Sequence, residues 1–180
     1  MVMAVIDGDA KNTKVHLRGS HLSLGEEVPR GFLSILGNQS ISVPSDHSGR
    51  LELAKWLTTN ESAKVLTARV IANRIWQWHF GRGLVTTPDD FGIRGEPPTH
   101  PRLLDFLANE LIEHDWSIKR LSRLIVTSRA YRLASMAGES SSENAKQAAD
   151  VDPENRLYWR RDRIRLDAES IRDSMLLLGG

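Results

Sequence analysis

One stretch, residues 67–101, constrains the fold of this chain more than any other. It reads TARVIANRIWQWHFGRGLVTTPDDFGIRGEPPTHP. Its first part places apolar residues at helical spacing in two adjacent rows. Three of its polar residues form one stripe, four residues apart: Arg69, Asn73 and Gln77. A helix that is apolar on its remaining faces must be enclosed. We therefore predict a buried central helix that carries Trp76 and Trp78 and ends at a left-handed Gly81.

Two polar residues, Asn73 and Arg74, lie in the middle of this helix. An unpaired buried asparagine costs about 1–3 kcal/mol, and a buried arginine without a partner costs several. We expect the acidic turn that follows to fold back, with Asp89 and Asp90 as the partners of both side chains. The alternative is that Asn73 and Arg74 line a ligand pocket.

Composition excludes several classes of site and of ligand. The chain has 180 residues, the size of one domain, and contains no cysteine. This excludes disulfides, iron–sulfur ligation, thiolate zinc sites and covalent haem attachment within the chain. A formal net charge of +1 argues against a uniformly basic surface for nucleic acid. The sequence has no apolar run long enough to span a membrane, and we predict no signal peptide in it.

The hydropathy pattern predicts an all-α fold, a single orthogonal multi-helix domain of about six helices over residues 50–180. Start signals for three of the helices are Ser48, Pro101 and Ser117. Apolar spacing of four and three residues predicts a last helix from Ile164 to Leu178. Residues 137–151 are small and polar, which predicts a mobile loop.

Residues 1–49 differ from the rest of the chain because turn-forming residues dominate them. Lys14 to Arg18 alternates weakly between polar and apolar, as a strand does, but no second convincing strand is present to pair with it. We therefore predict an extended, mostly irregular N-terminal segment packed on the helical body.

No catalytic signature is recognisable in the sequence. Asp90-Phe91-Gly92 matches a kinase triplet, but the catalytic loop and the phosphate loop of kinases are absent. Asp89 and Asp90 lack the further oxygen ligands that a divalent cation needs, and the histidines show no metal spacing, so we predict no metal site. His100, between two prolines and beside the acidic turn, is the best general-base candidate. Catalytic residues stay unknown.

Arginines are concentrated near the C-terminus, within seventeen residues: Arg156, Arg160, Arg161, Arg163, Arg165 and Arg172. On a helix, Arg165, Glu169 and Arg172 share a face, which predicts a self-paired ionic stripe. The alternative is a site for sulfate, phosphate, carboxylate or an acidic glycan, because the guanidinium fork suits such groups. Arg129 and Arg132, on either side of Tyr131, form another candidate patch.

The candidate ligand-binding residues are drawn from the central helix, the acidic turn and the arginine-rich region. They are Asn73, Arg74, Asp89, Asp90, His100, Arg132, Arg156 and Arg165.

Several blocks of the sequence together resemble a known family. They are VHLRGSHLSLGEEVPRGF, LELAKWLT, LTARVIANRIWQWHFGRGLVTTPDDFGIRGEPPTHPRLLDFLA, WSIKRLSRLIVTSRAYRLAS and DPENRLYWRRDRIRLDAESIRDS. They are similar to the planctomycete-specific domain of unknown function found towards the C-terminus of large cytochrome-c-associated proteins. The resemblance implies an extracytoplasmic location and a haem-bearing module elsewhere in the protein, with no cofactor in this chain. It also implies that the domain is truncated at its C-terminus here.

Three functions follow as hypotheses. The first is a non-catalytic scaffold or ligand-binding module of a larger extracytoplasmic cytochrome-associated protein, with partner domains or an anionic small molecule or glycan as ligands. The second is an enzyme module that acts on carbohydrate or another anionic substrate through His100, Asp89 and Asp90. The third is a partner-docking domain that uses the arginine-rich C-terminal helix. Nucleic acid is disfavoured because the charges are balanced.

Overall fold

The computed structural model describes residues 10–36, 43–44, 47–135 and 143–179. These residues contain six α-helices: α1 (Arg50–Thr59), α2 (Glu61–Phe80), α3 (Pro101–Glu113), α4 (Ile118–Thr127), α5 (Glu143–Val151) and α6 (Ala168–Gly179). Ahead of them are two short strands, β1 (Thr13–His16) and β2 (Leu24–Val28), and two 3-10 turns. The mostly helical fold with an irregular N-terminal segment is confirmed.

The chain divides into two compact units, Met1–Thr67 and Ala68–Gly180, so the boundary falls inside α2. In the first unit, β1 and β2 form an antiparallel pair with an irregular register between Lys14 and His16. The rings of Phe32 and Trp56 stack 5.3 Å apart, and Trp56 is the buried residue of α1. The domain limits 1–49 and 50–180 stay a prediction.

The described residues of the second unit form an apolar core that is built on the C-terminal half of α2. Ile75, Trp76 and Phe80 of this helix pack with residues of α3, α4 and the segment after α2. The other buried members are Ala72, Leu84, Val85, Leu104, Leu107, Leu111, Leu121 and Ile125. Burial of this many large side chains makes the end of α2 the most constrained part of the unit.

Several local end signals of the helices are confirmed, but Ser48 is not the cap of α1, because the residue before this helix is the left-handed Gly49 and no side chain caps it. Gly81 has a φ of 81° and follows the last residue of α2. Pro101 opens α3, and the Ser117 hydroxyl accepts a hydrogen bond from the backbone N–H of Arg120 at the start of α4. Asn60 caps α2 in the same way, through the backbone N–H groups of residues 62 and 63. Each signal depends on neighbours in sequence, which is why the sequence predicts it.

Two predictions about the central helix were wrong in part. Trp76 is 4% exposed but Trp78 is 70% exposed. Each residue turns an α-helix by about 100°, so residues two apart lie about 200° apart and only one of them faces the core. Val65 and Leu66, nearer the start of α2, are also exposed. The helix is therefore enclosed on one side and not on most of its circumference.

Three predictions about the other elements were also wrong. Lys14 to Arg18 does not lack a partner, because β1 pairs with β2. The loop expected over 137–151 is helical from Glu143 to Val151, where alanines favour a helix and Glu143 suits its first turn. The last helix starts at Ala168 and not at Ile164, because the Asp167 carboxylate accepts a hydrogen bond from the N–H of Ser170. Residues 137–142 and 180 lie outside the described residues.

Candidate functional site

The side chain of Asn73 is fully buried in the core and joins α2 to the segment after it. Its amide nitrogen donates to the carbonyl oxygen of Val85 at 3.0 Å, and its carbonyl oxygen accepts from the N–H of Val85 at 2.9 Å. A carboxamide offers one donor and one acceptor side by side, so it matches this pair of backbone groups. Asn73 is therefore a structural clamp that holds residue 85 against the helix.

Four aromatic rings cluster where α2 ends: Trp76, Phe80, Tyr131 and Tyr158. The rings of Trp76 and Phe80 stack at 4.1 Å, and both meet the ring of Tyr158 edge to face. The imidazole of His100 lies beside the same tyrosine, 5.8 Å between ring centres. The cluster fixes the segment that carries residue 158 against the end of α2.

Arg161 inserts its guanidinium between two rings of this cluster. Its Cζ lies 4.9 Å from the centre of the Phe80 ring and 4.4 Å from that of Tyr131, and Nη2 donates to the carbonyl oxygen of His79 at 2.5 Å. Cation–π contacts on two faces and a hydrogen bond to a helix-terminal carbonyl anchor this arginine. The residues on either side of Arg161 are thereby held at the end of α2.

Tyr158 connects the cluster to the segment after α2 through its hydroxyl group. The indole N–H of Trp76 donates to the hydroxyl oxygen at 2.9 Å, and the hydroxyl donates to the carbonyl oxygen of Arg82 at 3.2 Å. Burial raises the pKa of the Tyr158 phenol, against smaller lowering effects of the Trp76 hydrogen bond and the Arg82 charge. The phenol is therefore held in its neutral, donating form.

Beside this cluster lies an open cleft of about 570 Å³, which we call the arginine cleft. It is lined by Phe80, Gly81, Arg82, Arg160, Asp162, Arg163, Ile164 and Arg165. Four of these residues are arginines and one is acidic. The cleft therefore concentrates positive charge in a chain whose net charge is only +1.

Two of the cleft arginines, Arg160 and Arg82, have described partners within the protein, one a carboxylate and the other a backbone carbonyl group. Arg160 and Asp162 form an ion pair at 3.3 Å, and the Arg160 guanidinium also stacks on the ring of Trp159 at 5.1 Å. Arg82 donates to the carbonyl oxygen of Glu154 at 3.3 Å, which leaves its charge in place because a carbonyl group is neutral. Four guanidinium groups against one carboxylate favour an anion in the cleft.

Local turns set the walls of the cleft. The left-handed Gly81 ends α2 and sends Arg82 to the edge of the cleft. Ahead of Arg160 in the sequence, the Asp152 carboxylate accepts from the N–H groups of Arg156 and Leu157 at 2.9 and 2.7 Å. The buried amide of Asn155 exchanges two hydrogen bonds with the backbone of Arg160. These bonds fold residues 152–160 into a tight turn ahead of the cleft arginines.

Comparison with known proteins assigns the chain to a family. A family model described as "PSD1: Protein of unknown function (DUF1553)" matches residues 49–180, which is most of the chain. The chain belongs to this family. No curated protein and no solved structure matches it significantly. The matched region contains both the aromatic cluster and the whole arginine cleft, and the family description names no activity.

Within this PSD1 region, the eight residues proposed as ligand-binding do not come together in one site. Arg165 alone among them lines the arginine cleft. Arg132 is exposed and its Nε donates to the carbonyl oxygen of Ser128 at 3.4 Å. Arg156 contributes its backbone N–H to the turn at Asp152.

The acidic turn does fold back towards α2, but of the two expected partners, Asn73 and Arg74, it contacts only Arg74. Asp89 pairs with Arg74 at 3.6 Å, and both side chains are largely exposed, at 92% and 52%. Asn73 takes its partners from the backbone of Val85 instead. Asp90 is exposed, and its backbone oxygen accepts from the Thr87 hydroxyl. The turn is thus an exposed surface element, not a cover for the core.

His100, the general-base candidate, precedes the first residue of α3. Its Nδ1 lies 3.0 Å from the hydroxyl oxygen of Thr99, and its ring contacts Tyr158. These partners are all neutral. They place His100 against the aromatic cluster. These surroundings are typical of a histidine that packs against its neighbours and not of an acid–base catalyst.

The sequence analysis placed two residues of the cleft, Arg82 and Asp162, in no ligand site, and it named Arg160 and Arg163 only within the arginine-rich stretch that was the alternative anion site. Arg82 lies between Gly81 and Gly83, a pair that indicates a helix end but carries no information about what comes close in space. Within the arginine-rich stretch, the residues from Ile164 onward were predicted to be helical. The part of the stretch ahead of Ala168 is non-helical, and three of its arginines, Arg160, Arg163 and Arg165, line the cleft and do not form a helical stripe.

Two further classes of feature, a metal-ligand cluster and a membrane-spanning helix, are absent from the described ranges. Among residues 10–36, 43–44, 47–135 and 143–179, no three histidine, aspartate or glutamate side chains are grouped as metal ligands. None of the helices in this part of the chain combines the length and the hydropathy needed to cross a bilayer.

Proposed function

We propose that this domain is a non-catalytic binding module that holds an anionic ligand in the arginine cleft. The observation that carries the proposal is the composition of the cleft, four arginines and one aspartate around about 570 Å³ at the end of α2. A cleft of this size is within the range of small-molecule sites, about 300–1,000 Å³. Guanidinium groups bind sulfate, phosphate and carboxylate through paired N–H donors.

The rigidity of the surroundings supports a binding role. Arg161 is held between two aromatic rings, and Asn155 and Asp152 fix the turn before it. Side chains supported in this way lose less conformational freedom when a ligand binds. The neighbouring Arg160 and Arg163 are therefore presented from a segment whose backbone is already in place.

The dispersal of the acid–base candidates favours binding over catalysis. Asp89 is engaged with Arg74 at an exposed surface, and His100 lies against Tyr158 and Thr99. A general acid or base must lie within about 3 Å of the substrate atom to which it gives a proton or from which it takes one, or reach that atom through one water. A hydrolytic role for His100, Asp89 and Asp90 therefore has less support than ligand binding.

The wider context of the module is part of the proposal. By its resemblance, the domain belongs to larger planctomycete proteins associated with cytochrome c, located outside the cytoplasm. Haem would be bound by a module other than this one, since the chain has no cysteine for covalent attachment. The ligand is then an anionic small molecule or an acidic glycan, and the haem-bearing module is a partner domain.

A thermal-shift series on the full chain tests the proposal. The probes are inorganic sulfate, inorganic phosphate and oligogalacturonate, with a neutral oligosaccharide as the control ligand. At a hundredfold excess over Kd, one of the anions is expected to raise Tm by roughly 5–10 °C. The neutral sugar is expected to leave Tm unchanged.

Matched variants test whether the rise in Tm comes from an anion bound in the arginine cleft. Arg82→Ala and Arg165→Ala each remove a cleft guanidinium and are expected to abolish most of the shift. Arg129→Ala removes an exposed arginine that does not line the cleft and is expected to keep it. A null result for all three anions, or an equal loss in the three variants, would refute the arginine cleft as the ligand site.

A further inference from the structure

The lining of the arginine cleft includes one acidic residue, Asp162, which the binding of a simple anion does not explain. A carboxylate in the cleft repels sulfate and phosphate and lowers the positive potential that attracts them. Asp162 therefore either holds a neighbouring arginine in place or recognises a second group of the ligand.

Arg160, the ion-pair partner of Asp162, is held in place by other contacts. Its guanidinium lies over the ring of Trp159, and Nη2 donates to the carbonyl oxygen of Pro153 at 3.4 Å. Its backbone exchanges two hydrogen bonds with the buried amide of Asn155. An ion pair between partly exposed groups adds little to this support. Positioning of Arg160 thus does not account for the carboxylate.

The Asp162 carboxylate has capacity to accept hydrogen bonds from a ligand. The ion pair joins its Oδ1 to Nη1 of Arg160 at 3.3 Å, and the Asp162 side chain is 35% exposed. An ionised carboxylate accepts at about four positions, so one ion pair occupies only part of its capacity. A ligand in the cleft therefore meets an acceptor whose position the ion pair fixes.

The charges of the cleft decide which kind of donor suits this acceptor. Arg82 and Arg165 line the cleft in addition to the pair of Arg160 and Asp162, so positive charge is in excess among the lining residues. An ammonium group would be repelled by the two further guanidinium groups. A hydroxyl group donates to a carboxylate without adding a charge. The cleft therefore favours a ligand with hydroxyl groups over one with an amine.

The cleft also has room and apolar surface for the carbon skeleton of such a ligand. Ile164 lines the cleft and is 41% exposed. An inorganic anion takes up only a few times the volume of a water molecule, which is about 30 Å³. This is a small part of the cleft volume of about 570 Å³. Ligand sites typically combine apolar lining with a few placed polar groups, as this cleft does.

We propose that the ligand of the arginine cleft is a hydroxylated organic anion, such as a uronic acid, and that Asp162 distinguishes it from simple anions. Arg82 and Arg165 bind the anionic group, and the Asp162 carboxylate accepts a hydrogen bond from a hydroxyl group of the same molecule. This inference rests on the proposed function and narrows its ligand to an anion that also offers neutral donors.

Isothermal titration calorimetry of the full chain, at fixed ionic strength, compares three probes. D-galacturonate carries a carboxylate on a hydroxylated ring, cyclohexanecarboxylate carries the same group on a ring without hydroxyls, and inorganic sulfate carries no ring. We expect galacturonate to bind about tenfold more tightly than cyclohexanecarboxylate, because only the sugar donates to Asp162.

The three probes separate failure of this inference from failure of the proposed function. If sulfate binds in the cleft but galacturonate binds no more tightly than cyclohexanecarboxylate, the inference is overturned and the anion site stands. If none of the three probes binds, the proposed function and the inference are overturned together.

Asp162→Ala should change the affinities for the sugar and for sulfate in opposite directions. We expect it to weaken galacturonate binding about tenfold, because the hydroxyl loses its acceptor, and to tighten sulfate binding, because a repelling charge is removed. The matched control Asp89→Ala removes an aspartate that pairs with Arg74 and does not line the cleft, and it should leave both affinities unchanged. Equal weakening of both ligands in Asp162→Ala would overturn the inference, because Asp162 would then only hold the cleft in shape.

Discussion

Asn73 is the residue on which the contact between α2 and the following segment depends. Its carboxamide is the partner of both backbone groups of Val85, inside a core from which water is excluded. Asn73→Ala would leave a buried N–H and a buried C=O without partners. We expect the free energy of unfolding to fall by about 2–3 kcal/mol. Urea denaturation measures the change.

The neighbouring residue provides the control for this measurement. Arg74→Ala removes an exposed ion pair with Asp89, which is worth about 0–1 kcal/mol. Equal losses of stability in the two variants would contradict the role of Asn73 as a buried clamp.

Gly83 is required next to this clamp for steric reasons. A Cβ at this position would lie 2.5 Å from the carbonyl oxygen of Val85 and 2.7 Å from the amide nitrogen of Asn73. Both atoms are held by the clamp and cannot move away, so we expect Gly83→Ala to destabilise the fold by about 1–3 kcal/mol. Thermal unfolding measures it. Gly92→Ala is the control, because its nearest atom would be at 3.8 Å and the cost should be close to zero.

The ionisation of Tyr158 predicts a dependence of stability on alkaline pH. Burial raises the pKa of this phenol above its ordinary value of 10.0. The neutral phenol therefore contributes fully to the free energy of unfolding below about pH 10, and this contribution is lost as the pH rises through the pKa of the folded protein. Tyr158→Phe should lower the free energy of unfolding by about 1–2 kcal/mol at neutral pH, since Trp76 loses its acceptor. The difference between the two proteins should narrow as the pH rises past 10.0.

Absorbance titration can isolate this group because the chain has only two tyrosines. The difference between the wild-type curve and the Tyr158→Phe curve is the titration of Tyr158 itself. A midpoint at or below 10.0 would contradict the burial of the phenol against Trp76 and Phe80.

At the residue scale, the sequence predicts which side chains are unusual better than it predicts their partners. Asn73 is identified from its position in an apolar helix, and its pairing with the following segment is correct in kind. The expected carboxylates do not reach it, because Asp89 stays exposed beside Arg74. A neutral amide needs only one donor and one acceptor, which the backbone supplies without bringing a charge into the core.

At the scale of the element, α6 depends on a cap that lies outside it. The Asp167 carboxylate accepts from the N–H of Ser170 at 2.6 Å, and hydrogen bonds from the Ser170 backbone and hydroxyl lower the pKa of Asp167. We expect Asp167→Ala to reduce protection of the α6 amides against hydrogen exchange. Asp167→Asn should keep most of it, because asparagine also caps helices.

The lowered pKa of Asp167 allows the cap to be tested a second time, through the pH dependence of α6. A carboxylate with a lowered folded pKa stabilises the helix above its unfolded value of 3.8 and loses this effect as the pH falls through the folded value. Amide exchange in α6 should therefore speed up at acid pH in the wild type more than in Asp167→Asn. The same acid dependence in both proteins would contradict the cap.

Elements whose ends are set by neighbours in sequence are predicted well, and those that need distant partners are not. Ser117, Pro101 and Gly81 each mark a helix end as expected. The β1–β2 pair is missed, since its register is irregular and both strands are exposed, so alternation of polar and apolar residues is weak. The start of α6 is misplaced because apolar spacing continues through Ile164 although the helix does not.

At the scale of the whole molecule, the arginine cleft is a product of tertiary structure. Arg82 follows α2, whereas Arg160, Arg163 and Arg165 come from a segment more than seventy residues later. Charge counting along the sequence finds the second group but gives no reason to join it to the first. What joins them is the insertion of Arg161 between Phe80 and Tyr131, a contact between residues that no helical or strand period relates.

The most direct test of anion binding in this cleft is a titration of the full chain with inorganic sulfate, observed through the arginine Nε–Hε resonances by NMR. Single Arg→Lys variants provide the assignments. We predict that the signals of Arg82 and Arg165 shift saturably while that of Arg129 stays in place. Signals that shift together in proportion to ionic strength, or that do not shift at all, would contradict the arginine cleft as a binding site.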